Sequence, residues 1–348
     1  MVNIGIIANP ASGKDVRRLV ARASVFDNPE KQAIVQRVIA GMEGVLGDSD
    51  WQLSYLDDAH GIVRQAVRSV LGDDSTRGVP VMTAETGSAI DTTRAARALA
   101  ELPAAVTLSL GGDGTNRALC LGWRDAPLIP ISTGTNNVFP RLMEATVAGA
   151  AAALVASGRI PLAEVSRQQK VIRVEIDGEA DDLALIDAVL VNERFVGARA
   201  LLNPENLSSA LLTIADPAAV GITAIGGLLN PLTEQADDGM QLEFASEGEA
   251  ASVVRAPIAP GYYREIGIRE HRRVPFNQSL RCEGPGVLAF DGERERVLKP
   301  GQQATLTVER TGPHVIDVPA TMRLAASRGC FLIPADVPKT TAAEAAAE

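Results

Sequence analysis

Gly111-Gly112-Asp113-Gly114-Thr115 is the stretch whose reading decides this chain. It follows a short apolar run over 104–110 with strand character, and a helical segment begins near Asn116. Consecutive glycines put no Cβ in the path of a ligand, so successive backbone N–H groups can point the same way. Such a nest binds anions, and the positive end of a following helix reinforces it. An acidic residue would be odd in a loop that did nothing but bind phosphate. Asp113 therefore reads as a carboxylate that organises a metal, or as a base beside an acceptor hydroxyl. A tight strand–helix turn without a ligand remains the alternative. A dinucleotide fingerprint does not, because Arg117 stands where the third small residue of that motif is needed.

Working outward, two more loops have the same setting. Asn9-Pro10-Ala11-Ser12-Gly13-Lys14 follows the apolar run 2–8. It is not a Walker A loop, since Gly5 is too far from Gly13 and Asp15 stands where Ser or Thr should follow the lysine. Taken alone it is as readily a plain turn. At the end of a strand, however, Lys14 could neutralise a phosphate. Ser132-Thr133-Gly134-Thr135-Asn136-Asn137 follows the run 127–131 and offers hydroxyl and amide donors, residues that also make ordinary turns. Their convergence carries more weight than any one of them.

Apolar periodicity frames these loops. Strands are expected over 2–8, 51–56, 79–83, 104–110 and 127–131. Helices are expected over 31–46, 62–71 and 91–102, the last capped by Asp91. Alternation of this kind means an open, mostly parallel, Rossmann-like sheet with helices on both faces. Its ligands sit at the carboxyl ends of the strands, where all three loops leave. An alanine-rich helix over 143–157 separates two styles of sequence. Beyond it, extended stretches over 171–177, 183–193, 253–258, 262–268, 286–291 and 304–309, with Asp-Gly and Pro-Gly turns, predict an all-β, sandwich-like domain. Residues 203–233 read as partly helical. The expected division is an α/β nucleotide-binding domain over 1–140 and a β-sandwich domain with connecting helices over 141–320. A C-terminal segment, 321–348, can return to the first domain, with a frayed, low-complexity end.

Composition narrows the function classes. The chain has 348 residues, 46% of them hydrophobic and only 3% aromatic, so aliphatic side chains must fill two cores. A net charge of -10 argues against nucleic acid as partner, because a phosphate backbone demands a broad basic surface. The cysteines, Cys120, Cys282 and Cys330, are scattered and form no CxxC pair, which points to a reducing, cytoplasmic setting. No apolar run approaches a membrane span and no signal peptide is evident, so no integral membrane association is expected. The three histidines are isolated, and no Gly-x-Ser-x-Gly elbow supports a hydrolase. Arg264, Arg269, Arg272 and Arg273, with Tyr262 and Tyr263, make a basic aromatic cluster read as a surface or interface feature, with ligand binding as the second reading. A homo-oligomer is the expected assembly.

The motifs Asn9-Pro-x-Ser-Gly-Lys14, Gly111-Gly-Asp-Gly-Thr-Asn116 and Thr133-Gly-Thr-Asn-Asn137 resemble those of the superfamily that unites NAD kinases with diacylglycerol and sphingosine-type lipid kinases. Across most of its length the chain is most similar to the acetoin catabolism protein X group of NAD-kinase-like proteins, and 4–26 and 129–149 carry that likeness. The resemblance implies an α/β domain and a β-sandwich with ATP and Mg2+ in the cleft between them. It makes Asp113 essential. It also matches Asn192-Glu193 to the pair that holds the nucleotide acceptor in NAD kinases, and Asp291-Gly292-Glu293 to the Asp-Gly-Glu of bacterial lipid kinases, with Glu293 a candidate base. No metal ligand is assigned. The loops at 9–14 and 132–137 lean toward the lipid kinases. The expected activity is therefore ATP- and Mg2+-dependent phosphorylation of a hydroxyl on NAD(H) or a related nucleotide, linked to acetoin breakdown. The alternatives are a lipid or other small-alcohol kinase, and a nucleotide-binding regulator without turnover.

Overall fold

The computed structural model describes residues 1–13, 26–81, 85–134, 137–192, 204–245 and 248–333, apart from the side chains of 204 and 293–295. Strands β1 (Val2–Ala8), β2 (Trp51–Leu56), β3 (Gly78–Val81), β4 (Val106–Gly111) and β5 (Pro127–Ser132) alternate with helices α1 (Asn28–Leu46), α2 (Ile62–Leu71), α3 (Ala89–Glu101) and α4 (Asp113–Gly122). The strands stand in the order β3-β2-β1-β4-β5 and pair in parallel throughout. Side chains alternate across the sheet. Ile4, Ile6 and Ala8 join a core with α1, α2 and α5 (Ala145–Ala156), while Ile7 joins one with α3 and α4. Strand order reverses between β1 and β4, so the crevice beyond their carboxyl ends is a topological switch point, where sheets of this kind bind ligands.

Helices α1 and α5 pack backbone to backbone. A Cβ on Gly41 would lie 2.0 Å from the Thr146 carbonyl oxygen, and one on Gly149 would lie 2.0 Å from that of Val38. After α6 (Leu162–Val165) and β6 (Ser166–Gln168) the chain enters the β layer. There β12 (Ser252–Ala259), β13 (Tyr262–Pro275), β11 (Asp238–Phe244), β10 (Leu207–Leu212), β9 (Asp187–Val191), β15 (Gly286–Phe290) and β16 (Glu293–Leu298) form an antiparallel sheet in that spatial order. A second antiparallel sheet runs β14 (Ser279–Glu283), β17 (Gln303–Glu309), β7 (Val171–Ile176) and β8 (Asp182–Ala184). The two sheets enclose a core built by Ile172, Val174, Leu190, Phe290 and Leu306. Helix α7 (Ile222–Leu229) adds Ile222 and Ile225 to the core on the other face of the larger sheet. The chain then returns. Strand β18 (His314–Ile316) lies parallel to β5 and antiparallel to β6, and α8 (Val318–Ser327) joins the core of α1 and α5. The fold is thus an α/β unit with a mostly parallel sheet, carrying an antiparallel β unit.

Four local expectations are corrected. Helix α4 starts at Asp113, not near Asn116, so Asp113, Gly114 and Thr115 form its first turn. The cap of α3 is Ser88, whose side chain accepts from Ile90 N–H. Asp91 instead sits inside the helix and takes the N–H groups of Thr86 and Gly87. The apolar stretch expected as one strand over 183–193 is two, β8 and β9, in different sheets, because a distant carboxylate occupies the backbone between them. Strand β13 runs to Pro275, seven residues beyond the expected end at 268; its exposed charged residues mask the period-2 signal there.

Candidate functional site

The loops after β1, β4 and β5 meet at the switch point and are tied to one another. Asn9 Nδ2 donates to Thr115 Oγ1 at 2.8 Å, and the Asn9 N–H donates to the Leu110 carbonyl at 3.0 Å. The Ser12 and Thr133 hydroxyls are hydrogen-bonded at 2.8 Å, and the Thr133 N–H donates to the Gly111 carbonyl at 3.1 Å. Residues 106 to 121 positions apart in sequence therefore form one surface. The close approaches require glycine. A Cβ on Gly111 would meet the Thr115 side chain at 2.4 Å, and one on Gly112 would lie 2.8 Å from Asn137 Oδ1. Gly13 has φ +73°, and a Cβ there would lie 2.7 Å from the Thr133 carbonyl oxygen. Asn116 is fully buried and braces the loop from below. Its Oδ1 accepts from the Ser109 hydroxyl at 2.6 Å, and its Nδ2 donates to the Gly112 carbonyl at 2.8 Å. Ser132 serves Gly134 and Asn137 in the same way: its hydroxyl donates to the Gly134 carbonyl and accepts from Asn137 Nδ2, both at 2.8 Å.

Asp113 lies at the start of α4, yet its carboxylate reaches across to the third loop. It accepts the N–H of Phe139 at 2.8 Å and that of Val138 at 3.1 Å. Its negative charge at a helix N-terminus is favourably placed. The hydroxyls and side-chain amides of the three loops are bonded to one another and to loop carbonyls, while the first turn of α4 opens on the same edge of the sheet.

A residue that the sequence gives no reason to single out supports the first loop. Lys31, in the first turns of α1, is fully buried. Its ammonium donates to the carbonyls of Ser12 at 2.7 Å, Asn9 at 2.9 Å and Pro10 at 3.1 Å. A lysine in a helix's opening turns reads in sequence as a solvated charge, and its acceptors are visible only in three dimensions.

Behind the loops, α4 is locked to the β layer. Arg117, 5% exposed, donates through Nε to the Leu183 carbonyl and through Nη2 to Asp182, both at 2.6 Å, and lies over the Phe290 ring. The half-buried Arg296 adds to the cluster, with Nε and Nη2 on the other Asp182 oxygen at 3.1 and 2.9 Å. Nearby, Asp291 turns its carboxylate inward onto the N–H groups of Leu185, Ile186 and Asp187, and so holds apart β8 and β9. Burial pushes its pKa up to about 6, against the lowering effect of those N–H groups and of the Arg117 charge.

The remaining expected residues fall elsewhere. Asn192 is exposed just past β9, with its N–H on the Asn206 carbonyl at 2.7 Å. Lys14, Thr135, Asn136 and Glu193 lie outside the described residues, as does the side chain of Glu293, the first residue of β16. The basic aromatic cluster lies mainly along β13. There Arg264 covers the Tyr262 ring, Arg269 pairs with Glu249 and Arg273 with Asp238. An open cavity of about 640 Å³ lined by Asn230, Ala236, Asp237, Asp238, Arg273 and Pro275 belongs to the β layer and includes no residue of the three loops. It is large enough for a ligand but lacks a convergent donor set of one sign, so the loops remain the stronger candidate.

A parallel sheet with its glycine loop at the switch point, joined to an antiparallel β unit, defines the architecture of the NAD kinase class. Residues 4–160 match the ATP-NAD kinase N-terminal domain family, and residues 170–311 match the acetoin catabolism protein X C-terminal domain. The crystal structure of yeast NADH kinase complexed with NADH superposes with a TM-score of 0.54 at 13% identity, over 98% of this chain and 90% of that one. A putative diacylglycerol kinase from Bacillus anthracis gives a TM-score of 0.48 at 13% identity, over 90% of this chain and 97% of that one. Acetoin catabolism protein X of Cupriavidus necator is 37% identical over 331 residues, which span 92% of this chain and 91% of the relative. The chain belongs to the acetoin catabolism protein X family.

Proposed function

We propose that this protein is an ATP- and Mg2+-dependent kinase that phosphorylates a hydroxyl of NAD(H) or a related nucleotide. The observation that carries the reading is the hydrogen-bonded union of the three loops at the β1/β4 switch point, beside the first turn of α4. The Thr115 hydroxyl, an acceptor toward Asn9 Nδ2, can donate its proton to a phosphate oxygen, and the first turn of α4 offers its N–H groups and dipole. Phosphoryl transfer asks for positioning and charge neutralisation more than for covalent chemistry, and rigid loops of this kind supply the positioning.

Among the described residues no cluster of three or more His, Cys, Asp or Glu could hold a metal alone. Mg2+ is commonly carried by nucleotide phosphates plus one or two carboxylates. Such a metal would neutralise charge on the transferring group, and Asp113 is the carboxylate that the loops present. Asp113 bonded to Val138 and Phe139 keeps the β5 loop against α4. A change of partner on ligand binding would free one oxygen for a metal or an acceptor hydroxyl. Asn192 and Glu193 are proposed to face the acceptor, and Glu293 to act as a base.

Release of ADP from ATP and Mg2+, with NAD, NADH, diacylglycerol and acetoin offered in parallel and products identified by mass, tests the proposal. Phosphorylated NAD or NADH supports it. Product from a lipid or small alcohol replaces the acceptor. Tight ATP binding without any product turns the reading to a regulator.

A further inference from the structure

We infer that Lys31 is the positioning residue of the phosphate site, turning the carbonyls of the first loop inward so that they do not face the crevice. This rests on the kinase reading above and adds to it a residue outside all three motifs. The observation is a conjunction of burial and geometry. Lys31 is 0% exposed, and its Nζ lies within 3.1 Å of three backbone carbonyl oxygens, those of Asn9, Pro10 and Ser12. It also donates to Asn28 Oδ1 at 3.3 Å.

A buried cation is costly unless it is fully bonded, and one near a helix N-terminus opposes the dipole as well. The fold accepts both penalties here. No ordinary packing demand explains that, because an apolar side chain of similar length would fill the same space. What an apolar side chain could not do is draw three carbonyls of a four-residue stretch to one point. Carbonyl oxygens repel phosphate, so a loop that keeps them turned inward presents a less negative outer surface. Drawing them inward also sets the loop's other contacts. The Ser12 hydroxyl reaches Thr133 at 2.8 Å, and Asn9 Nδ2 reaches Thr115 at 2.8 Å. The Asn9 side-chain oxygen meanwhile accepts the Ala11 N–H at 2.8 Å, which closes the turn. Lys31 thus acts through the loop and touches no ligand itself.

The test compares wild type with Lys31→Met, which keeps the stem and loses every donor, and with Lys31→Gln, which keeps two N–H donors on a shorter chain and is the safer variant to fold. Three quantities are read: amide hydrogen exchange of Ala11 to Gly13 against that of α1, ATP affinity by calorimetry, and the KM for ATP against kcat. We expect loop exchange to rise, and ATP affinity and KM to worsen, on the order of tenfold in Lys31→Met. Lys31→Gln should fall between, with α1 exchange unchanged and kcat at saturating ATP little altered. A residue that merely stabilised the fold would lower the melting temperature and raise exchange in α1 and the loop together, leaving ATP affinity intact; that pattern overturns the inference. So does wild-type loop exchange in both variants. If wild type binds no ATP, the kinase reading fails by itself, and the loop exchange still decides whether Lys31 shapes the loop.

Discussion

The carboxylate of Asp113 accepts the backbone N–H of Phe139 at 2.8 Å, tying the first turn of α4 to the loop that follows β5. A residue whose neighbours in sequence are all glycine or threonine is thereby the link between two loops 25 residues apart. Its role begins as architecture, and any part in chemistry is built on that.

Asp113→Asn keeps the size of the side chain but replaces one acceptor oxygen with an NH2 that faces Val138 or Phe139. We expect kcat/KM for phosphoryl transfer to fall by roughly a hundredfold or more, and stability to fall by about 1–3 kcal/mol. Initial-rate kinetics and denaturant unfolding read both. Full activity in the variant would remove Asp113 from the mechanism.

Two glycines of α1 should respond oppositely to alanine. Gly44 has nothing within 4 Å of the added Cβ, so Gly44→Ala gains about 0.5–1 kcal/mol from helix propensity alone. At Gly41 the same methyl would meet the Thr146 carbonyl oxygen at 2.0 Å, and separating α1 from α5 there should cost about 1–3 kcal/mol. Melting temperatures that move together would show that the α1–α5 contact is looser than described.

Arg117→Met leaves the Leu183 carbonyl without that donor and the buried Asp182 with Arg296 as its remaining guanidinium. The expected loss of stability is about 3–5 kcal/mol, as for other buried pairs broken on one side. The exposed pair of Arg37 and Glu30 provides the contrast, since Arg37→Met should change stability by less than about 1 kcal/mol. Urea titrations of both variants test the difference, and equal midpoints would argue against a buried cluster.

Asp291 predicts a pH effect. Its pKa stands at about 6 in the folded protein against 3.8 for the unfolded group, raised mainly by burial. Its contribution to stability is therefore fully present below pH 3.8 and is lost as pH rises through about 6. Asp91 works in the opposite window: although burial is its largest influence, the N–H and hydroxyl groups of Thr86 and the N–H groups of Gly87 and Ser88 together lower its pKa. Its contribution is present above pH 3.8 and is lost as pH falls through the lowered value. Between about pH 4 and pH 7 the wild type should lose on the order of 2–3 kcal/mol through Asp291, and Asp291→Asn should flatten that slope. Parallel slopes in the two proteins would sink the prediction.

Much of the framework was legible in one dimension. The runs 2–8, 51–56 and 62–71 carry their own periodicity, and their ends coincide with β1, β2 and α2. The three loops were recognisable because glycine, proline and small polar residues interrupt apolar strands, and a parallel alternation dictates that such interruptions share one edge. The family likeness lies in the same contiguous motifs.

Tertiary structure alone decided how the loops are held. Lys31 looks like a surface lysine until Asn9, Pro10 and Ser12 fold over it, and Asp291 looks like a turn residue until its carboxylate enters the gap between β8 and β9. The pairing of β18 with β5 and β6, after the whole β layer, is likewise invisible in its own short sequence. The physical reason is that all three depend on partners distant in sequence. Helix and strand periodicity depends on neighbours a few residues away, whereas a buried charge is satisfied by partners that only the folded chain brings within 3 Å or so.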